Sequence, residues 1–315
     1  MDKNSNKVTI VGRGTMGNGI ALLFAAKGWR AVINARDHSK DEQSLNMIKA
    51  NLELLASYDL IGAERIEDTL ERISFETNLE IAVAGSDLVI ESIVEDLPTK
   101  QECFAVLDKI CPADVILASN TSAISITEIG EKCANRERII GTHFWNPPFL
   151  LPLVEVVRTE YTKDEIVDRT MKIMNSVGKK PIVVAKDVPG FLANRLQHAL
   201  VREAFYIVQE GIASPADVDA AINYSFGMRL PFTAPMATSD SCGLDMAASI
   251  QSYLFQHLGN STGPEPVLKE KIDKGELGFK TGGIGMMTWT EQEQEQYRHD
   301  LVVNLIKVGK ALDRF

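Results

Sequence analysis

A histidine and a glutamate twelve residues apart form the pattern in this chain that is most typical of acid–base chemistry. His143 ends one apolar run, and Glu155 is the single charge within the apolar run Leu153-Val-Glu-Val-Val157. A carboxylate in a buried strand is costly unless it is paired. If two adjoining strand ends bring Glu155 onto the imidazole of His143, the pair is a general base suited to neutral pH. The alternative is a structural His143 and a Glu155 that points to solvent.

Two further polar residues are candidates for binding a reacting oxygen. Ser122 ends the segment Ser119-Asn-Thr-Ser, which follows a predicted strand at the sheet edge where doubly wound folds bind ligands. Ser122 either donates a hydrogen bond to substrate or caps the next helix. Asn194 lies beside an apolar helical stripe, where it is either a substrate ligand or a satisfied core residue.

A glycine-rich loop near the start of the chain predicts a dinucleotide site. The motif Gly-x-Gly-x-x-Gly follows a short apolar strand and opens a helix. The first glycine allows a tight turn, the second lets a pyrophosphate approach the backbone, and the third lets helix and strand pack closely. The helix start adds free N–H groups and partial positive charge for the phosphates. The binding residues predicted here are Gly12, Gly14, Thr15, Met16 and Gly17.

The end of the second strand selects between NAD and NADP, and the sequence allows two arrangements. If Ala35 holds the selecting position, Arg36, Ser39 and Lys40 form a site for the 2′-phosphate of NADP. If the chain bulges by one residue, Asp37 becomes the ligand of the NAD ribose. We favour the first arrangement and therefore NADP.

The elements that position these residues alternate between short β-branched runs and helical stretches, which predicts a doubly wound parallel sheet. The chain of 315 residues is long enough for about two domains. We predict a Rossmann-type α/β domain over 1–187 and an all-helical domain over 188–315. The predicted strands are Val8–Val11, Arg30–Ala35, Asp87–Glu91, Val115–Ser119, Arg138–Thr142, Leu153–Val157 and Pro181–Ala185.

Two helix starts carry capping signals. Thr162 with Glu165 three residues later predicts a capping box for a helix that ends near Ser176. Ser214, followed by Pro215, predicts a second helix start in the C-terminal half.

Charge and composition exclude several partners. The net charge is −10, which disfavours nucleic acid and anionic membranes as partners because both need a basic field. The four cysteines show neither a CxxC pair nor zinc spacing, so we expect reduced thiols, no metal and a cytoplasmic protein. We expect no signal peptide, and no apolar run reaches the ~18 residues that span a membrane.

Taken together, the motifs resemble the L-3-hydroxyacyl-CoA dehydrogenase family over nearly the whole chain. The resemblance implies a Rossmann domain, a helical domain that forms a homodimer, and a small-molecule substrate. It implies that His143 is the catalytic base, that Glu155 is its partner, and that Ser122 and Asn194 hydrogen-bond in the active site. The segments that carry it are Gly12-x-Gly14-x-x-Gly17-x-Gly19-Ile-Ala, Ser119-Asn-Thr-Ser122, His143-Phe-Trp-Asn146-Pro with Leu153-Val-Glu155-Val, and Pro189-Gly-Phe-x-x-Asn194-Arg.

The resemblance also implies a set of residues near the cofactor and one near the substrate. A branch of the family that acts on free 3-hydroxy acids, such as gulonate 3-dehydrogenase (the lambda-crystallin branch) and carnitine dehydrogenase, shares Gly227-Met-Arg-Leu. In that reading Arg229 meets a substrate carboxylate; the alternative is a surface arginine that caps a helix end. The cofactor positions implied are Glu95, Lys100, Asn120, Asn146 and Lys280.

One departure from the family affects the substrate. Residues 50–64, where the family helps to hold coenzyme A, contain no Lys or Arg but carry Glu53, Asp59 and Glu64. We expect hydride transfer between NAD(P) and C3 of a 3-hydroxyacyl-CoA or a small 3-hydroxy acid, giving the 3-oxo product. The alternatives are a dehydrogenase restricted to free acids, a cofactor-binding protein without catalysis, and, more remotely, a 6-phosphogluconate-type dehydrogenase.

Overall fold

The computed structural model describes residues 6–315, which fall into two compact units. The first unit runs to Asn194 and also includes Val303–Phe315, and the second is Arg195–Val302. The sequence boundary after residue 187 stays a prediction. Every residue proposed for acid–base chemistry lies in the first unit.

The first unit is built on one eight-stranded sheet in the order β3-β2-β1-β4-β5-β6-β7-β8. Its central strands are buried along their length, as expected for a sheet covered by helices on both faces. The strands are β1 Lys7–Val11, β2 Arg30–Asn34, β3 Ile73–Glu76, β4 Leu88–Glu91, β5 Ile116–Ser119, β6 Ile139–Phe144, β7 Leu153–Val157 and β8 Lys180–Val184.

The sheet confirms the Rossmann-type class and corrects it at one edge. Strands β1 to β6 are parallel, but β7 pairs antiparallel with β6, and β8 follows the direction of β7. The edge departs from the parallel order there because residues 145–152 are too few for a crossover helix. Strand β3 was missed because its four residues, Ile-Ser-Phe-Glu, are short and only partly buried.

In the described part of the chain, seven α-helices connect the strands of this sheet. The helix start after β1 lacks any side-chain cap, so its first N–H groups are left for a ligand. The flanking helices are α1 Thr15–Ala26, α2 Asp41–Ser57, α3 Ile66–Glu71, α4 Leu79–Val83, α5 Leu97–Ile110, α6 Ile126–Ile129 and α7 Asp164–Ser176.

The start of α7 differs from the sequence expectation. The helix ends at Ser176 as predicted, but its cap residue is Lys163 and makes no side-chain capping bond. The Thr162 hydroxyl instead donates to the Ile139 carbonyl at 2.7 Å. The predicted capping box was therefore wrong, because this hydroxyl joins the start of α7 to β6.

The rest of the described chain is helical, as predicted. Ser214 caps α9 through its hydroxyl, which accepts from the Asp217 N–H at 3.2 Å. No helix in the described part of the chain is long and apolar enough to cross a membrane. The helices are α8 Ala193–Gln209, α9 Pro215–Asn223, α10 Pro235–Cys242, α11 Leu244–Leu254, α12 Pro266–Asp273 and α13 Glu291–Ala311.

Candidate active site

His143 and Glu155 face each other across the antiparallel pair β6–β7. They are register partners, and Nδ1 of His143 lies 2.7 Å from Oε2 of Glu155. Glu155 is fully buried and His143 nearly so, which excludes the solvent-facing Glu155 allowed by the sequence. Since Nδ1 is engaged, Nε2 is the ring nitrogen left for exchange of a proton with a ligand.

The second oxygen of Glu155 is held by the backbone at the start of α8. Oε1 accepts hydrogen bonds from the N–H groups of Leu192 and Ala193, both at 2.9 Å. Burial by itself raises the pKa of Glu155, but the hydrogen bond with His143 and the two backbone N–H groups outweigh it, so the pKa lies below its usual value. Glu155 is therefore a fixed carboxylate that holds one orientation of the imidazole ring.

Aromatic rings confine the imidazole. The ring centroids of Trp145 and Phe191 lie 5.3 Å and 5.8 Å from that of His143. Phe191 has a φ of 49°, uncommon for a bulky residue. This turn places the Phe191 ring beside His143 and directs the next two backbone N–H groups at Glu155. The sequence motif around Asn194 did not reveal this role of Phe191.

Ser122 and Asn194, the two residues predicted to bind the substrate oxygen, are in direct contact. The Asn194 Nδ2 donates to the Ser122 carbonyl at 2.8 Å, and the Ser122 N–H donates to Oε1 of Glu95 at 3.0 Å. Ser122 is exposed, and the next helix, α6, is capped by Ser125. The alternative role of Ser122 as that cap was therefore wrong. The Ser122 hydroxyl stays a candidate donor to substrate.

Lys100 lies behind Glu95 and points inward. Its ammonium is 2.7 Å from Oε1 of Glu91 and 3.2 Å from Oε2 of Glu95, and its side chain is only 1% exposed. The Ser119 hydroxyl donates to Oε2 of Glu91 at 2.6 Å. Lys100 thus positions Glu95 from the protein interior. A contact of its own with the cofactor, as the resemblance implied, does not fit this burial.

Glu91 was not predicted as a site residue from the sequence, although a signal was available. Glu91 is a lone carboxylate that ends the apolar strand Leu88-Val-Ile-Glu91, the same pattern that drew attention to Glu155. Its partner Lys100 is nine residues further on, in the helix that follows. The pattern indicated a paired charge, but only the tertiary fold identifies the pair.

The remaining candidates are placed as follows. Asn120 accepts from the Phe144 N–H at 2.9 Å through Oδ1, which ties the end of β5 to β6 beside His143. Asn146 is exposed in the loop after β6. Arg229 and Lys280 are exposed residues of the second unit, and their predicted roles stay predictions.

The glycine loop has the space that a dinucleotide needs. Gly12 has a φ of 122°, and a Cβ there would collide with the Ser92 carbonyl. A Cβ on Gly17 would collide with the carbonyl of Gly12, so this glycine permits the close packing of helix on strand. Apart from Gly14 itself, its chain neighbours and the backbone of its own helix, no atom of residues 6–315 lies within 4 Å of where a Cβ of Gly14 would stand, so a phosphate can approach the backbone. These residues fit the predicted nucleotide.

The family models match both halves of the chain. The model of the 3-hydroxyacyl-CoA dehydrogenase NAD binding domain matches residues 7–188, and that of the C-terminal domain matches residues 190–289. The chain belongs to the 3-hydroxyacyl-CoA dehydrogenase family. It is therefore an oxidoreductase that uses NAD(P), and the resemblance in its motifs is confirmed.

Two relatives and one solved structure are similar to this chain over most of its length. It is 32% identical over 97% of its length to 5-formyl-3-hydroxy-2-methylpyridine 4-carboxylate 5-dehydrogenase of Mesorhizobium japonicum, covering 98% of that protein. A crystal structure of a dehydrogenase with this activity, described as an NAD+ dependent dismutase, matches 98% of the chain and 99% of its own with a TM-score of 0.90 at 31% identity. A probable 3-hydroxybutyryl-CoA dehydrogenase of Bacillus subtilis is 36% identical over 88% of this chain and 95% of its own.

Proposed function

We propose that this member of the 3-hydroxyacyl-CoA dehydrogenase family transfers a hydride reversibly between NAD(P) and C3 of a small 3-hydroxy acid, with His143 as general base and acid. The 2.7 Å contact between Nδ1 of His143 and Oε2 of Glu155 carries this proposal, because it leaves only Nε2 for the substrate hydroxyl. The nicotinamide supplies or accepts the hydride when the cofactor is bound. In the oxidation direction, Nε2 of His143 takes the hydroxyl proton.

Glu155 supports the proton transfer without touching substrate. Its carboxylate is buried and accepts from both His143 and two backbone N–H groups, so it cannot rotate freely. A fixed negative charge at Nδ1 stabilises the imidazolium that forms when His143 takes the proton. Ser122 and Asn194 are proposed to hydrogen-bond the substrate oxygen, where charge develops during the reaction.

The charges around residues 50–64 favour a free acid over a coenzyme A thioester. No basic residue occurs in that segment. The cations near this segment have partners: Lys49 pairs with Glu67 at 3.2 Å, and Arg65 donates to the Ala26 carbonyl at 2.8 Å. Lys310 donates to the Tyr58 carbonyl at 2.8 Å and lies 3.8 Å from Oδ2 of Asp59. The nearly full-length relative from Mesorhizobium is named for a small carboxylate substrate, which supports the same choice. Arg229 is then the candidate partner of the substrate carboxylate.

A coenzyme A thioester is the second candidate. The relative from Bacillus, at 36% identity, is named as a 3-hydroxybutyryl-CoA dehydrogenase, and this observation favours the second substrate class. The two classes differ only in the group that is joined to the 3-hydroxyacyl unit, so they share the proposed His143 chemistry.

A single assay separates the candidates. Purified protein is given 3-hydroxybutyryl-CoA, 3-hydroxybutyrate and a panel of other free 3-hydroxy acids, each with NAD and with NADP, while absorbance of the reduced cofactor is followed. Turnover of free acids alone supports the first candidate, and turnover of the thioester alone supports the second. Bound cofactor with no turnover of any substrate contradicts both and favours a protein that has kept the cofactor site without catalysis.

The state of the protein in solution is a further part of the proposal. The second unit exposes large apolar side chains, including Phe232 and Met236, each 75% exposed, and Tyr253, 73% exposed. Apolar surface of this kind marks association sites in proteins, so we propose a homodimer formed through this unit. Light scattering during gel filtration tests this proposal, and a monomer would contradict it.

The thiols support a second proposal, that the protein is located in the cytoplasm. The four cysteines are free, as is usual in a reducing compartment.

A further inference from the structure

Arg13, at the second position of the glycine motif, is held against the segment that follows β2. Its side chain is only 10% exposed. Nη1 donates to the Asp37 carbonyl at 2.9 Å and to the Asp41 carboxylate, and Nη2 lies 3.3 Å from Oδ1 of Asp37. One guanidinium therefore binds both acids of this segment.

The two acids are engaged on their other sides as well. The Asp37 carboxylate accepts from the N–H of Ser39 at 2.9 Å and from its hydroxyl. Oδ2 of Asp41 lies 2.7 Å from Nδ1 of His38. Hydrogen bonds from Ser39 and Arg13 lower the pKa of Asp37 to about 2, so it stays ionised while it is bound. The Ser39 hydroxyl is bound to Asp37, and its predicted part in a phosphate site stays a prediction.

The two basic residues of the same segment are left without acidic partners. Arg36 and Lys40 are exposed, and within residues 6–315 neither forms an ion pair. The position after the last residue of β2 is Ala35, whose methyl side chain cannot accept a hydrogen bond from a ribose diol. Without Arg13, Asp37 would keep only its bonds with Ser39 and Asp41 only that with His38, and both acids would be available to pair with Arg36 and Lys40.

We propose that Arg13 is a positioning residue for cofactor choice, which keeps Asp37 and Asp41 away from Arg36 and Lys40 so that these two cations bind the 2′-phosphate of NADP. The inference rests on the proposed use of NAD(P) and makes it more specific. A free Asp37 favours NAD in two ways, because it repels a 2′-phosphate and accepts a hydrogen bond from a 2′-hydroxyl. Arg13 suppresses both effects.

The test measures binding and needs no turnover. NADPH and NADH are titrated separately into the full-length protein, and dissociation constants are read from the change in nicotinamide fluorescence. Wild type is expected to bind NADPH more tightly. Arg13→Ala is expected to weaken NADPH binding and to strengthen NADH binding, which moves the ratio of the two constants about tenfold or more towards NADH. Arg30→Ala, the same change at the other end of β2, is the matched control and leaves the ratio unchanged.

A second variant separates the proposed effect from simple damage to the loop. In Arg13→Ala/Asp37→Asn one of the two freed side chains is neutral, so NADPH binding is expected to recover part of the loss. Equal weakening of both nucleotides by Arg13→Ala, or no recovery in the double variant, overturns the inference while the proposed function stands. Tighter binding of NADH by wild type also overturns it. Binding of neither nucleotide overturns the proposed function as well.

Discussion

Nδ1 of His143 and Oε2 of Glu155 lie 2.7 Å apart because the two residues are direct partners in the antiparallel register of β6 and β7. The loop between β6 and β7 is the eight residues 145–152, and its length places Glu155 twelve residues after His143. One change of register would point Glu155 to the opposite face of the sheet. The pair therefore depends on the loop and its two strands together.

The first prediction concerns the proton carrier. His143→Gln keeps a polar side chain but cannot accept the substrate proton at neutral pH, so turnover should fall by about 10²–10⁴-fold. Binding of reduced cofactor, measured by fluorescence, should change little. His299→Gln, on the exposed side of α13, is the control and should retain activity. Near-wild-type turnover of His143→Gln with the best substrate contradicts the proposed mechanism.

The second prediction concerns the pH dependence of stability through Glu155. Its pKa in the folded protein lies below the usual value near 4.5, so the unfolded chain takes up this proton first as the pH falls. The carboxylate therefore adds stability above pH 4.5, and this is lost on acidification. Glu155→Gln should flatten the decline of melting temperature as the pH falls from about 5 to about 3, below the unfolded pKa of Glu155. An unchanged decline would show that the carboxylate is not held as described.

The third prediction concerns the buried pair Glu91–Lys100. Lys100→Met leaves Glu91 as a buried charge with a lost partner, a change that typically costs about 3–5 kcal/mol. Chemical denaturation should show that loss. Lys109→Met, on the exposed face of the same helix, is the control. Adding Glu91→Leu to Lys100→Met should restore much of the stability. If the double variant were no more stable than the single one, the cost would not come from an unpaired Glu91.

The fourth prediction concerns Lys179, which precedes β8 and donates to the Leu151 carbonyl at 2.9 Å. Burial, with a smaller effect of Lys27, lowers the pKa of Lys179 to about 7. Between pH 7 and the unfolded value near 10.5, the unfolded chain holds a proton that the folded protein has released, so stability rises with pH.

Melting temperatures from pH 6 to pH 9.5 test this prediction. Lys179→Met should remove part of the rise seen in wild type and should be the more stable protein at pH 6, where the buried ammonium is charged. Lys180→Met changes an exposed neighbour and should keep the wild-type profile. A Lys179→Met profile parallel to that of wild type argues against a depressed pKa.

Much of the fold was predictable because local patterns determine it. The six residues of the glycine loop lie between a strand and a helix, and in that setting they indicate a dinucleotide-binding βαβ unit. Ser214 caps its helix through contacts three residues away. The short strand β3 was not predictable, since four partly buried residues become a strand only by pairing with β2.

The candidate site was predictable in its residue types and not in its contacts. The sequence by itself determined that Glu155 and Glu91 are carboxylates in apolar strands and that Arg36 is basic. Only the tertiary structure decided that Glu155 meets His143, that Lys100 neutralises Glu91, and that Arg13 binds Asp37. The physical reason is that each pairing joins groups on different elements. Their meeting depends on strand direction, on register and on the turns of the backbone, and none of these is encoded in the local pattern of residues.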